Sequence, residues 1–442
     1  MTPITRLLRS SVRLRLFVLA SLALAAAMPL ARAAGESQGD ELKLAVILSR
    51  HGVRSPLATP EELGAFSAQA WPKWEVAPGI QTNHGNLLVA YMGDYYRSRY
   101  ASAGLLAGES TPDSPLVFVR ADNDQRTIET GRILGKALTQ SGEPDVHAVA
   151  GGTEDPLFRP SEAHVGHPDP DRAAAAILGR LGGDARNLDK AYASRLAELK
   201  AILNGPGQAP ASALDEPTAI GPGRDGELVS IKGPLLPAMR CSDALLLEYA
   251  QGMPSSDVGW GRVDARELTE LLWLHDLVFD LKQRTPYLAQ VQGSNLASHI
   301  IDTLEQAALG QPVPGAIGPS GERVVVIVGH DSNIASVGGL LGLNWWIPGT
   351  EANPLLPAGA LVFELWKHPG ATGGFYVKAS YVCQTLEQMR QAAPGTPETA
   401  PVRAPIFVPG ASGAGADFDA PLASFVRHAR MVIDPAFITT EP

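Results

Sequence analysis

Three short segments of this chain set cationic, nucleophilic and acidic side chains close together. Arg50, His51 and Arg54 share the segment Arg50-His51-Gly52-Val53-Arg54-Ser55-Pro56. Arg126 closes the segment Arg120-Ala121-Asp122-Asn123-Asp124-Gln125-Arg126, and His330 and Asp331 follow Gly329. An imidazole can act as a nucleophile and a carboxyl as a general acid. A guanidinium fork matches phosphoryl oxygens in bidentate fashion. Three guanidiniums and two imidazoles around one small volume would have little structural use. They would suit a phosphate dianion.

Each segment follows a short apolar run, at 42–48, 116–119 and 324–328. Such runs, bounded by polar residues, read as buried strands. In open α/β sheets, ligands gather beyond the carboxyl ends of the strands. Parallel, neighbouring strands would therefore bring the three segments to one pocket. Helical spacing is predicted at 86–100 (Leu87, Leu88, Tyr91, Tyr95, Arg99), with Gly104 as a stop, and again at 127–139 and 334–341. The stretches 360–366 and 374–383 read as a hairpin at the sheet edge. From about 170 to 308 the chain is rich in Ala and Leu at helical spacing, as in 191–202 and 241–251. The Pro- and Gly-rich stretch 205–226 reads as a surface loop. The expected fold is α/β: a central sheet flanked by helices, built from 34–160 and 309–442, with a mostly α-helical domain inserted at 161–308.

Residues 1–33 read as an export signal. Arg6, Arg9, Arg13 and Arg15 precede an apolar run at 16–30, and Ala31-Arg32-Ala33 fits a small-x-small cleavage site. The run is shorter than the roughly 20 residues of a membrane span. The mature chain is expected to be soluble, periplasmic or secreted, with no membrane contact after cleavage. A formal net charge of −10 speaks against a nucleic-acid partner. Cys241 and Cys383 are the two cysteines; an exported chain could pair them, but Cys241 opens a helix-like apolar run and Cys383 ends a strand-like one, which reads as two buried free thiols. His164 and His167, with Asp169 and Asp171, come nearest to a metal-ligand set, but they stand in a Pro-rich loop and read as solvated. His84 reads as a residue at a helix start. No metal site is expected.

The segment 50–56 resembles the R-H-G-x-R-x-P signature of the histidine acid phosphatases, branch 2 of the histidine phosphatase superfamily. Gly329-His330-Asp331-Ser332-Asn333 resembles that family's second signature, and Asp124-Gln125-Arg126-Thr127 resembles the place of another phosphate-binding arginine. Trp71-Pro72-Lys73-Trp74, Gln251-Gly252-Met253-Pro254 and Gly259-Trp260-Gly261-Arg262 are similar to segments of its bacterial periplasmic members. Those members include acid phosphatase/phytases and glucose-1-phosphatase. The resemblance covers nearly all of the chain after the signal, in the family's order.

The resemblance implies a phosphoglycerate-mutase-like sheet and a two-step displacement. His51 would be the nucleophile and form a phosphohistidine. Arg50, Arg54, Arg126 and His330 would bind the phosphoryl oxygens, and Asp331 would protonate the leaving group. It implies an acidic pH optimum, no cofactor and no metal, the arginines taking over charge neutralisation. The implied partner is a small phosphorylated molecule: a phosphomonoester such as glucose 1-phosphate, or phytate. Asp243 stands where some members carry a glutamate proposed as an auxiliary acid; from the residues alone it reads as a helix-face or salt-bridged carboxylate. Leu57-Ala58 resembles the glucose-1-phosphatase arrangement, whereas phytase-like members place a polar residue and a lysine there. Leu343-Asn344-Trp345 looks closer to the phytases. Two cysteines cannot reproduce the family's several disulfides. The alternatives are a member specialised for phytate or phosphoanhydrides, and a periplasmic binding protein without turnover. Binding alone would need neither His51 nor Asp331.

Overall fold

The apolar run after the signal becomes the middle of β1 (Glu41–Arg50), which is buried without a break from Leu44 to Arg50. Continuous burial of this kind belongs to a strand covered on both faces. The other strands are β2 (Val117–Ala121), β3 (Val146–His147), β4 (Ala219–Pro222), β5 (Val229–Lys232), β6 (Val324–Gly329), β7 (Ala360–Lys367), β8 (Phe375–Cys383), β9 (Val402–Ile406) and β10 (Ala420–Pro421). This computed structural model describes residues 39–107, 114–140, 142–207, 213–224, 226–369, 374–396, 399–415 and 417–442. The signal expected at 1–33 lies outside the described residues.

Eight strands form the main sheet, in the order β10-β8-β7-β1-β6-β2-β3, with β9 also paired to β8. β6 is parallel to β1 on one side and to β2 on the other. The register sets Arg50 beside Gly329 and Ala121 beside Val328. Three parallel strands therefore end at one level, and the three polar segments leave from that level.

The β7–β8 hairpin is not at the sheet edge. β7 pairs antiparallel with β1 from Glu41 to Ser49, and β8 is covered in turn by β9 and β10. Both hairpin strands are almost wholly buried. The covering strands come from Pro- and Gly-rich sequence near 392–421, where local pattern shows little strand character. The predicted loop at 205–226 also contains regular structure. Residues 219–222 form β4, which pairs with β5 in a separate two-stranded ribbon. Pro222 is tolerated there because an edge strand can lack a donor.

The helices are α1 (Pro60–Gly64), α2 (Asn83–Ser102), α3 (Gln125–Thr139), α4 (Pro170–Arg180), α5 (Arg186–Ala191), α6 (Ala193–Asn204), α7 (Leu235–Ala250), α8 (Ala265–Gln283), α9 (Pro286–Leu309), α10 (Asp331–Leu340), α11 (Leu386–Gln391) and α12 (Leu422–Val432). Local sequence sets several of their limits. Thr82 caps α2 by accepting from the Gly85 N–H, and Asp264 with Glu267 forms a capping box on α8. Gly310, in the left-handed region, ends α9. α10 begins at Asp331, three residues earlier than periodicity predicts.

One apolar cluster joins the sheet to helices of the middle region. It includes Leu48, Ile327 and Phe363 together with Leu245, Leu271 and Leu296. Cys241 and Cys383 are buried in it as free thiols, and burial pushes each up to about 12. On β7, Glu364 is fully buried between Arg99 and Arg403, with Arg99 Nε and Arg403 Nη2 each 2.9 Å from its carboxylate oxygens.

Candidate active site

β1 and β6 end side by side, and backbone hydrogen bonds carry the alignment one residue further. The His51 N–H donates to Gly329 O at 3.1 Å, and the Ala358 N–H donates to His51 O at 3.0 Å. Gly52 is required by space. A Cβ there would lie 2.6 Å from Val89 Cγ2. Its N–H donates to Thr130 Oγ1 at 3.0 Å and to Gln81 Oε1 at 3.1 Å.

The state of His51 follows from its neighbours. Nδ1 lies 2.9 Å from Gly52 O. A carbonyl oxygen only accepts, so Nδ1 carries the proton and Nε2 keeps its lone pair. Burial, and then the charges of Arg54, Arg50, His330 and Arg126, hold the imidazole well below its ordinary pKa. The ring therefore stays neutral in mild acid, where a free histidine would be protonated.

Arg50 is fully buried. Its Nη1 donates to Leu355 O, and its Nη2 faces Asp331 Oδ2 at 3.0 Å and Asp243 Oδ1 at 3.3 Å. Arg54 donates through Nη1 to Ser55 O at 3.0 Å and through Nη2 to Asp243 Oδ2 at 3.3 Å. Of the two residue-based readings of Asp243, the salt bridge is the one found. Arg126 sits in the first turn of α3 rather than at the strand end, and its Nη2 meets Asp124 Oδ2 at 2.6 Å. The Nε–H groups of Arg50, Arg54 and Arg126 are buried and have no protein acceptor among the described residues. Buried donors need acceptors, and an anion can supply them.

His330 closes the opposite side. Its ring centroid is 5.6 Å from that of His51, with the planes at 70°. Nε2 donates to Asp122 Oδ2 at 2.7 Å. Burial would raise Asp122, but the hydrogen bond and charge of His330 and the charge of Arg159 outweigh it and bring it down to about 2. Arg159 also reaches Asp124 at 2.6 Å. Ligand atoms of Asp122, Asp124 and His330 lie within 4.8 Å of one another, as a metal set would need. Both carboxylates are already paired with guanidiniums, so this donor set serves Arg126 and Arg159. His164 and His167 are exposed, and His84 lies in the first turn of α2.

Asp331 opens α10, where Oδ1 accepts from the Ser332 N–H at 2.8 Å. Burial favours its neutral form, but Arg50, His275, His330 and Arg54 prevail and lower its pKa. His51, Arg54, Arg126, His330 and Asp331 line a cavity of about 470 Å³, with Arg50 behind them. An adjoining cavity of about 420 Å³ is lined by Arg54, Leu57, Ala58, Asp243 and His275. All six residues expected from the sequence thus meet in one place. Sequence reasoning missed Asp122, Arg159 and His275. Asp122 stands directly after β2, between Arg120 and Arg126 in a segment rich in polar side chains, which is an available signal. His275 is one histidine on a long helix, and nothing local distinguishes it.

A mixed sheet flanked by helices, with arginines and two histidines at its parallel strand ends, defines an α/β phosphatase. The pattern of the histidine phosphatase superfamily (branch 2) matches residues 41–382, and the chain belongs to that family. It is a hydrolase of phosphomonoesters. Among its relatives, phytase AppA of Escherichia coli (strain K12) is 35% identical over 400 residues, covering 88% of this chain and 91% of its own. Glucose-1-phosphatase of Salmonella typhimurium is 28% identical over 361 residues, covering 80% and 84%. The structure of Hafnia alvei phytase in complex with tartrate matches with a TM-score of 0.82 at 33% identity, over 91% of this chain and 99% of that one.

Proposed function

We propose that this chain is an exported acid phosphatase that works through a phosphohistidine on His51. The observation that carries this reading is the Nδ1 contact of His51 with Gly52 O, which leaves Nε2 free to react inside a cluster of guanidiniums.

The Nε2 lone pair attacks phosphorus, and the bond from phosphorus to the leaving oxygen breaks. Asp331 gives that oxygen a proton. Arg50, Arg54, Arg126 and His330 hold the phosphoryl oxygens and stabilise their charge. Water then attacks the phosphohistidine, Asp331 takes a proton from it, and the P–N bond breaks to release inorganic phosphate. Splitting the displacement into two steps is ordinary covalent catalysis. An acid that must carry a proton implies an acidic optimum.

Small phosphorylated molecules are the partners. Sugar phosphates such as glucose 1-phosphate lead, because Leu57 and Ala58 bring no cation to the cavities they line. Phytate is the second reading, favoured by Arg159 and Lys282 in the lining of the larger cavity. Export rests on the arginine-flanked run at 16–30 and Ala31-Arg32-Ala33. Among the described residues no helix is long and apolar enough to cross a membrane.

The test is alkaline-quench trapping with a substrate labelled in its phosphoryl group, on the wild type and on His51→Ala. The wild type should retain acid-labile label, and the variant should trap none and lose turnover. Near-normal turnover by His51→Ala would sink the reading.

A further inference from the structure

From the Arg50–Arg54 pair a line of buried and partly buried side chains leads past the adjoining cavity, which Asp243 and His275 border, to Asp276 and Glu351. Asp243 on α7 meets both guanidiniums at 3.3 Å. His275 on α8 sets its Nε2 3.8 Å from Asp243 Oδ1, within ion-pair range though longer than a hydrogen bond. Its Nδ1 lies 2.6 Å from Asp276 Oδ1. Asp276 in turn faces the carboxyl of Glu351. Both Glu351 oxygens are buried, and among the described residues no side chain with an N–H or hydroxyl donates to them. Two buried carboxyls that face each other repel as a pair of carboxylates, and a proton between them removes that repulsion. Asp276 and Glu351 also border a small cavity of about 160 Å³ that none of the six expected site residues lines.

The proton count decides what His275 can do. If Asp276 were a carboxylate, it would take the Nδ1–H, and the bare Nε2 would face the Asp243 carboxylate. With a proton on Asp276, that carboxyl donates to Nδ1, and the Nε2–H points at Asp243. For a neutral ring, which burial favours, only the second arrangement is attractive.

We propose that His275 is a positioning residue: a proton held by Asp276 and Glu351 keeps its Nε2–H aimed at Asp243, which fixes Arg50 and Arg54 for the phosphoryl oxygens. The inference rests on the reading of those arginines given above. Burial pushes Asp276 up to about 7, and burial with the neighbouring Asp276 pushes Glu351 up to about 10, so both hold protons in acid. Burial also lowers His275, which favours the neutral ring this arrangement uses. The charged and titratable groups facing the line are Arg50 on β1, Asp243 on α7, Asp331 on α10, Tyr381 on β8 and Glu351. Asp280 and Arg284 share the small cavity. As pH rises through about 7, the Asp276 proton leaves, His275 changes tautomer, and Asp243 loses its third partner.

The experiment compares wild type, His275→Leu, Asp276→Asn and Arg54→Ala with p-nitrophenyl phosphate across the acidic and neutral range. In the wild type, KM should rise as pH passes about 7. His275→Leu should raise KM about tenfold at acidic pH, with a smaller change in kcat, as loss of one contact to a charged group would. Asn at position 276 keeps a donor that cannot titrate, so Asp276→Asn should flatten the rise. Wild-type KM and pH profile in His275→Leu, or an unaltered rise in Asp276→Asn, would overturn the proposal. Should His275→Leu fail to fold by circular dichroism, the isosteric Asp276→Asn decides alone. An unchanged KM in Arg54→Ala would instead count against the reading of the arginines.

Discussion

Arg50 Nη2 stands 3.0 Å from Asp331 Oδ2, joining the end of β1 to the first turn of α10. The guanidinium has no solvent exposure, so water screens the contact little. It helps hold Asp331 as a carboxylate against the effect of burial. A phosphate dianion entering the site takes over part of the Arg50 charge and adds negative charge beside Asp331. Both effects raise the affinity of Asp331 for a proton. The substrate thus prepares the acid that its own leaving group needs.

Asp331→Asn should separate the two half-reactions. With an alkyl leaving group, which needs a proton, turnover should fall roughly 10²- to 10⁴-fold. With p-nitrophenyl phosphate the leaving group departs unprotonated. Rapid mixing should then show a burst of about one nitrophenolate per active site, followed by slow phosphoenzyme hydrolysis. Equal slowing on both substrates with no burst would remove Asp331 from the acid role.

Leu57 and Ala58 border the cavity that holds Asp243 and His275. Ala58→Lys adds a cation where only apolar side chains follow the signature. The ratio of kcat/KM for phytate over that for glucose 1-phosphate should rise about threefold to tenfold, since extra phosphates gain a contact and a monophosphate does not. Competition assays with both substrates measure this ratio directly. An unchanged ratio would place the additional phosphates elsewhere.

Asp122 links stability to acid. Its carboxyl is fully buried and held at about 2, against an unfolded value near 3.8. A depressed carboxyl contributes stability that is present above the unfolded value and lost as pH falls through the folded one. The contribution, roughly 2 kcal/mol, should fade between about pH 4 and about pH 2. Thermal melts of wild type and Asp122→Asn should differ most at mild acid and converge towards pH 2. A gap that stays constant would show that Asp122 does not titrate in this window.

Glu364 makes a purely structural prediction. It is buried on β7 between Arg99 of α2 and Arg403 of β9. Glu364→Gln leaves two guanidiniums facing a neutral amide, and should destabilise the fold by about 3 kcal/mol. Urea unfolding should show a lower midpoint, while KM stays at its wild-type value because the residue lies outside the substrate cavities. A change in KM without a change in midpoint would contradict this role.

Much of the active site is legible in the amino-acid sequence, because its parts are contiguous along the chain. His51, Arg54, His330 and Asp331 each stand within five residues of a strand end, and a strand end fixes where its next residues go. The apolar runs at 42–48, broken only by Lys43, and 324–328 form β1 and β6 for the same local reason: runs of β-branched and aliphatic residues need cover on both faces. The hairpin at 360–383 is legible too, but its place in the sheet is not. Pairing partners depend on which strands compete for an edge, and β9 and β10 carry little apolar pattern to announce themselves.

The sequence by itself determined the chemistry available: a nucleophile, an acid and three arginines on segments that strands deliver. Tertiary structure decided the states of those groups. His51 is neutral because Gly52 O holds Nδ1 and buried guanidiniums surround the ring. Asp331 is ionised because Arg50 faces it. Asp243 and His275, 32 residues apart in the chain and on different helices, acquire a role only where α7 and α8 lie against the strand ends. Charge state is set by desolvation and by neighbours within a few ångströms, and distances of that kind exist only after folding.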